Sequence, residues 1–343
     1  MILIAPDKYK GTFTANEVCD IVADELRRGG IASDIVCRPL ADGGENTQRV
    51  ALREPLPTTR KGVYVDADGS AACVVSAEVI GPGCFAPELP LMRRSSRALG
   101  EAVAYACTLP VDTIYVAIGG TAASDGGAGM LAALGARFFD VNGADMSDAV
   151  CASNLCRIAR VDVSGLITDN RLCGVVDVCA SLCGPGLSAI DFARQKALSG
   201  EDLSALAGNL RHFGSLFPNR SPRDGAGGGT GFALCSVLGA RAVGGAELAV
   251  AHLGVDWNEV DVVITGEGCV DVQTVSGGKL VDAVVDACNE RRVPCIVVPG
   301  TCNALSPYRY MFPTTDYAGG TYEARLRTAV RAAIPLIKSL LKK

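Results

Sequence analysis

Residues 1–44, MILIAPDKYKGTFTANEVCDIVADELRRGGIASDIVCRPLADGG, read as a strand, a helix and a second strand in direct succession. The apolar run Ile2–Ala5 has the length of a buried strand and is broken by Pro6 and a polar loop through Gly11. Thr14-Ala-Asn-Glu17 has capping-box spacing, and Val18, Ile21, Val22 and Leu26 fall on one helical face. Gly29-Gly30 stops that helix. Ile35–Leu40 is the next strand, running into Ala41-Asp42-Gly43-Gly44. Two strands joined through a helix make a crossover connection, so a parallel sheet is expected.

The same grammar recurs further along. Thr113–Ile118 reads as a strand ending in Gly119-Gly120, and Gly126–Phe139 as a helix interrupted by glycine. Val260–Thr265 is a strand ending in Gly266-Glu267-Gly268, with a helix from about Lys279 to Asn289. Pro294–Val298 is another strand, and Glu323–Leu341 has helical periodicity. Residues 56–95 differ: Val63–Val65 and Ala71–Val79 look like strands of a hairpin or meander. The expected fold is α/β with two domains. A Rossmann-like parallel-sheet domain takes residues 1–55 and 255–343, and a mixed α/β domain, 56–254, is inserted between them.

Composition narrows the function. With 343 residues, 49% of them hydrophobic and 20% charged, the chain can bury more than one core. A net charge of −5 without a long basic run argues against binding a nucleic-acid backbone. Fifteen cysteines show no C-x-x-C spacing, and two histidines make a zinc site improbable. Most cysteines sit in apolar runs, such as Cys235 in FALCSVL and Cys295 in PCIVV, where they act as small hydrophobes. The odd count fits a reducing cytosol. The apolar start ends at Asp7, too early for a secretory leader, and no stretch approaches the roughly 18 apolar residues of a membrane span. A cytoplasmic protein is expected.

Several strand ends carry an acid beside glycine: Asp7, Asp42, Asp125, Glu267 and, four residues on, Asp271, with Asp177 at another such edge. Any one alone is best read as a turn or cap residue. Ligands of open parallel sheets bind beyond the carboxyl ends of the strands, and acids gathered there repel one another unless a cation holds them. Mg²⁺ with a nucleotide is the commonest such occupant. The run Gly225-Ala-Gly227-Gly228-Gly229-Thr-Gly231 precedes an apolar helical stretch, Phe232–Leu238, and its N–H groups could cradle phosphate. Close helix packing explains that run nearly as well. There is no P-loop motif, and Gly278-Lys279 is followed by Leu280. Lys10 and Lys279 each lie past a strand end in a glycine-flanked loop, which marks them above the other lysines. His212 reads as part of a polar linker, Arg211–Arg223, and there is no G-x-S-x-G, so triad hydrolase chemistry is not expected.

The stretches MILIAPDKYKGTFTANEV, PLADGGENT, AIGGTAASDGGAGMLAALGARFFD, LCGP, VITGEGCVDVQT and PCIVVPGT stand in the order and at roughly the spacing of the bacterial-type glycerate kinase family, which the chain resembles from residue 1 to about 301. The resemblance implies a two-domain α/β kinase that uses Mg-ATP to phosphorylate D-glycerate, in many members at the 2-position. Carried over by motif, the site includes Asp7, Lys10, Asp42, Gly43, Gly44, Asp125, Asp177, Lys196, Glu267, Asp271, Gln273 and Lys279, with Ser124 a further candidate on the substrate side and Gly266 on the nucleotide side. Phosphoryl transfer needs charge over the moving phosphate and a group to orient the attacking hydroxyl. On that ground Glu267 and Asp271 are candidates for Mg²⁺, Lys10 or Lys279 for phosphate, and Asp42 or Asp177 for the acceptor's base.

This chain also departs from the family's pattern. Where the family usually reads Thr-Asn-Asp it has Ala123-Ser124-Asp125, and where the family has Asn-Pro-Leu-Cys-Gly-Pro it has Ala180-Ser181-Leu182-Cys183-Gly184-Pro185. Phe-Gly-Pro-Gln-Lys becomes Phe192-Ala193-Arg194-Gln195-Lys196, and a glycine-flanked Arg becomes Cys269. These changes remove donors suited to anionic ligands. Two further readings therefore stand beside glycerate kinase: a kinase for another sugar acid, and a catalytically weakened member that binds a metabolite.

Overall fold

The computed structural model describes residues 1–9, 11–176, 178–271, 279–303 and 308–341. They form two compact units, Met1–Asp42 with Gly245–Lys343, and Gly43–Gly244. The sequence reading put the boundaries at 55/56 and 254/255, whereas the compact units divide at 42/43 and 244/245. Packing explains the difference: the short helix Gln48–Ala51 lies on the strand Ala71–Val75, and the helix Gly245–Ala251 lies on the helix Leu280–Arg291.

The end unit holds a four-stranded parallel sheet in the order Cys295–Val297, Val262–Thr265, Ile2–Ile4, Ile35–Cys37. Ile2–Ile4 is wholly buried, as its apolar run requires. The helix Ala15–Arg28 that follows starts on a complete capping box: Glu17 N–H donates to Thr14 Oγ1 at 3.2 Å and Thr14 N–H to Glu17 Oε2 at 2.8 Å. Val18, Ile21, Val22 and Leu26 face the sheet, each such burial stabilising by roughly 1.5–3 kcal/mol. Gly29 caps the helix and Gly30 turns the chain at φ +75°. The helix Tyr322–Leu340 packs alongside, and its Arg331 Nε donates to the buried Glu25 at 2.7 Å. From Ile2–Ile4 the chain builds outward to one side; the later strands add to the other. The switch point thus lies between Ile2–Ile4 and Val262–Thr265, and in open parallel sheets ligands bind beyond the strands' carboxyl ends at such a point.

The central unit holds a six-stranded mixed sheet, ordered Arg241–Val243, Leu172–Val175, Thr113–Ala117, Ala71–Val75, Val63–Asp66, Pro55–Pro57. The first four are parallel neighbours and the last two join antiparallel. Three expectations are corrected here. The strand from Ala71 stops at Val75 and Ser76–Ile80 is helical. The helix read over Gly126–Phe139 covers only Ala128–Ala133; Gly135, at φ +102°, ends it, and Arg137–Phe139 is a strand paired with Arg160–Asp162. His212 is not in a linker but in the last turn of the helix Gly200–Ser215, with Nε2 2.7 Å from Ile158 O. Among the described residues no helix is long and apolar enough to cross a membrane.

Candidate active site

In the end unit the chain beyond Ile2–Ile4 is stitched to the chain beyond Val262–Thr265. Ala5 N–H donates to Ile264 O at 2.8 Å, Asp7 N–H to Gly266 O at 2.9 Å, and Thr265 Oγ1 to Ala5 O at 2.7 Å. Buried Tyr9 donates its hydroxyl to Val298 O. A methyl group on Gly266 would overlap both Val298 O and the Tyr9 hydroxyl, so only glycine fits that turn. Asp42 and Glu267 each come within electrostatic reach of Asp7.

Asp7 is only 8% exposed, and its carboxyl is pushed up to about 7. Burial is the main cause, then the negative charge of Asp42; Lys8 and its N–H, 2.7 Å from Oδ1, pull the other way, and Glu267 adds a smaller push up. Lys8 Nζ stands 3.7 Å from Asp42 Oδ1. Asp271 and Lys279 form a second, more exposed pair, Nζ to Oδ1 3.5 Å, with Lys279 at the N-cap of Leu280–Arg291. Lys10, Asp177 and Gln273 lie outside the described residues.

The central unit gathers another predicted group. Asp125 is 1% exposed and sits where the chain turns into the helix Ala128–Ala133. Its carboxylate accepts the Ser96 N–H at 2.7 Å, the Ser96 hydroxyl at 3.0 Å, and the N–H groups of Gly127 and Gly129 at 3.1 and 3.2 Å. Burial raises this carboxyl and those donors lower it. Lys196 Nζ donates to Ala123 O at 2.7 Å and to buried Ser124 Oγ at 3.2 Å. Its amine is lowered to about 8, chiefly by burial, with Asp125 opposing and Arg94 assisting.

The glycine run packs on this same loop. Gly227, Gly228 and Gly229 all have positive φ, and a methyl group on Gly228 would overlap Ala123 O, one on Gly229 the Gly126 Cα, and one on Gly225 the Ser181 O. Close backbone approach therefore accounts for these glycines, and the stretch after them, Phe232–Val237, is a π-helix rather than an α-helix. Gly43 and Gly44 belong to the central unit, where Gly119 N–H donates to Gly43 O at 3.1 Å. Sequence reasoning missed Asp224, 1% exposed, which accepts from Ser236 Oγ at 2.6 Å and Ser221 N–H at 3.0 Å. An Asp before a glycine carries no signal beyond that of a turn. Lys8 and Tyr9 lay within a quoted motif without being singled out.

A model of the glycerate kinase family matches residues 2–314. The chain belongs to the glycerate kinase family. Glycerate 2-kinase of Escherichia coli K12 is 32% identical over 329 residues, covering 88% of this chain and 85% of that protein. Glycerate kinase of Bacillus subtilis 168 is 32% identical over 335 residues, covering 88% and 85%. A crystal structure from Salmonella typhimurium LT2, assigned as glycerate kinase 2, superposes with a TM-score of 0.78 at 27% identity over 98% of both chains. The fold class expected from the sequence, α/β with parallel sheets, is the one found in this family member.

Proposed function

We propose that the chain transfers the terminal phosphoryl group of ATP to glycerate, giving 2-phosphoglycerate. The observation that carries this reading is the acid set Asp7, Asp42 and Glu267 at the switch point of the parallel sheet, in a chain of the glycerate kinase family. Burial and two neighbouring acids raise the Asp7 carboxyl more than Lys8 lowers it, so further positive charge would be favourable there, and hard carboxylate oxygens suit Mg²⁺. Among the described residues no three His, Cys, Asp or Glu side chains converge as a ready metal site. Mg²⁺ held mainly by nucleotide phosphates needs only one or two protein carboxylates, so the residues fit. Glu267 and Asp271 would hold it, and its charge would offset that of the phosphates.

The chain's own residues do the remainder. Lys279, or Lys10, holds the moving phosphate. Asp42, or Asp177, orients the attacking hydroxyl and takes its proton, leaving the alkoxide oxygen to bond phosphorus as the bridging oxygen to ADP departs. Lys8 Nζ, 3.7 Å from Asp42 Oδ1, pairs with that carboxylate and holds it in place. In the central unit Lys196, with Ser124 beside it, is the donor set for an anionic substrate, while Asp125 organises the loop that carries Ser124. Cys269, in place of the family's arginine, favours a second reading in which another small hydroxy acid is the preferred acceptor.

A coupled ADP-release assay over hydroxy acids, glycerate first, tests the activity, and phosphorus NMR identifies the product. Turnover on another acid but not on glycerate moves the substrate; binding without turnover on any acid sinks the kinase reading. Asp42→Asn is expected to slow single-turnover phosphoryl transfer by about 10²–10⁴-fold. An unchanged rate removes Asp42 from the role of base.

A further inference from the structure

Two cysteines meet where the helix Ala15–Arg28 packs on the strand it feeds. Cys37 ends the strand Ile35–Cys37, in register with Ile4 on the neighbouring strand. Cys19, on the helix, donates its thiol to Ile4 O at 3.8 Å, and Cys37 Sγ donates to Cys19 O at 4.0 Å. The two thiols therefore lie side by side next to Ile4, close enough to perturb each other. Cys19 is 2% exposed and Cys37 is half-buried, so of the pair Cys37 is the more accessible to solvent. We propose that Cys37 is an oxidative modification site for hydroperoxides, and that Cys19 converts the oxidised sulfur into a disulfide joining helix to strand.

The electrostatics divide the roles. The adjoining Cys19 side chain is the main influence lowering the Cys37 thiol; burial and Asp20 oppose it, and Arg27 and Arg38 assist. Cys19 is pushed up by the adjoining Cys37, by burial and by Asp20, which disfavours its thiolate. Thiolate is the nucleophilic form, so Cys37 attacks first. Its sulfur attacks one peroxide oxygen, the O–O bond breaks, and the departing hydroxide takes a proton to leave as water. Cys37 is then a sulfenic acid. The Cys19 sulfur attacks that sulfur and gives up its proton; the S–O bond breaks, and the hydroxyl leaves with that proton as a second water. Two thiols lose two electrons and one peroxide gains them.

A second pair supplies an internal comparison. Cys288, in Leu280–Arg291, adjoins Cys295, which begins the strand at the opposite edge of the same sheet. Cys288 is fully buried, and the Cys295 thiol is pushed well up by its neighbour and by burial.

The test uses the full chain, reduced and freed of reductant, treated at pH 7 with one equivalent of hydrogen peroxide. The remaining thiols are alkylated and the peptides mapped by mass spectrometry. The expected product is a linked Cys19–Cys37 peptide pair, formed several-fold faster than loss of alkylation at Cys288 or Cys295 and reversed by dithiothreitol. In Cys19→Ser, with Cys19→Ala as the alternative should the serine variant misfold, Cys37 stops at the sulfenic acid and is trapped by dimedone. Cys37 remaining alkylated at the rate of Cys295, or linking to any cysteine other than Cys19, overturns the proposal.

Discussion

Asp7 in the end unit and Asp125 in the central unit are both buried acids beside a glycine-rich turn, and they are partnered in opposite ways. Asp125 is ringed by donors: the N–H groups of Ser96, Gly127 and Gly129 and the Ser96 hydroxyl all converge on it. Among the described residues Asp7 accepts one hydrogen bond, from Lys8 N–H, and is pressed by the charges of Asp42 and Glu267. Burial by itself does not mark a functional acid. A carboxylate saturated by its own fold is scaffold, whereas one buried against other acids holds energy that a cation or proton can release.

The sharpest way to break that contrast is Asp125→Ala. Each donor stranded in the core costs about 1–3 kcal/mol, so the variant is expected to lose about 4 kcal/mol in urea denaturation. A loss under about 1 kcal/mol would show that the donors find water instead. Asp7→Asn is expected to act in the opposite direction. The folded-state value of about 7 lies above the unfolded one, so between about pH 4 and pH 7 the folded chain binds more protons. The stability from protonated Asp7 is complete below about pH 4 and is lost as pH rises through 7. Asp7→Asn should therefore gain about 2–4 kcal/mol at pH 8 and nothing at pH 4. Equal gains at both pH values would mean that charge is not the cause. The smallest effect belongs to Lys279→Met. Its pair with Asp271 is about two-fifths exposed on each side, and removing such pairs changes stability by about 0.5 kcal/mol or less. Lost phosphorylation at unchanged stability would then assign Lys279 to a ligand rather than to the fold.

Local order was legible in residues 1–44. The capping box at Thr14, the apolar face of the helix and the stop at Gly29-Gly30 are short-range signals, and each reappears in the structure. The reading failed where one glycine had to decide between continuing and ending an element. Gly135 ends a helix because its backbone is left-handed, and no residue type announces that in advance. Ser76–Ile80 turned helical although its letters continue a strand, since tertiary packing outweighs weak β propensity. The glycine run 225–231 suited both a phosphate cradle and a close approach. Its contacts with Ala123, Gly126 and Ser181 favour the latter, and they join residues 44 to 105 positions apart, which local pattern cannot connect.

Residue types and their spacing determined by themselves the alternation of strands and helices, the parallel pairing and the family motifs, because periodicity and capping act within a few residues. The tertiary structure alone decided which acids meet and which are satisfied. Asp7 and Glu267 become neighbours only when the first strand pairs with one more than 250 residues later, and a carboxylate's charge state depends on what surrounds it in space.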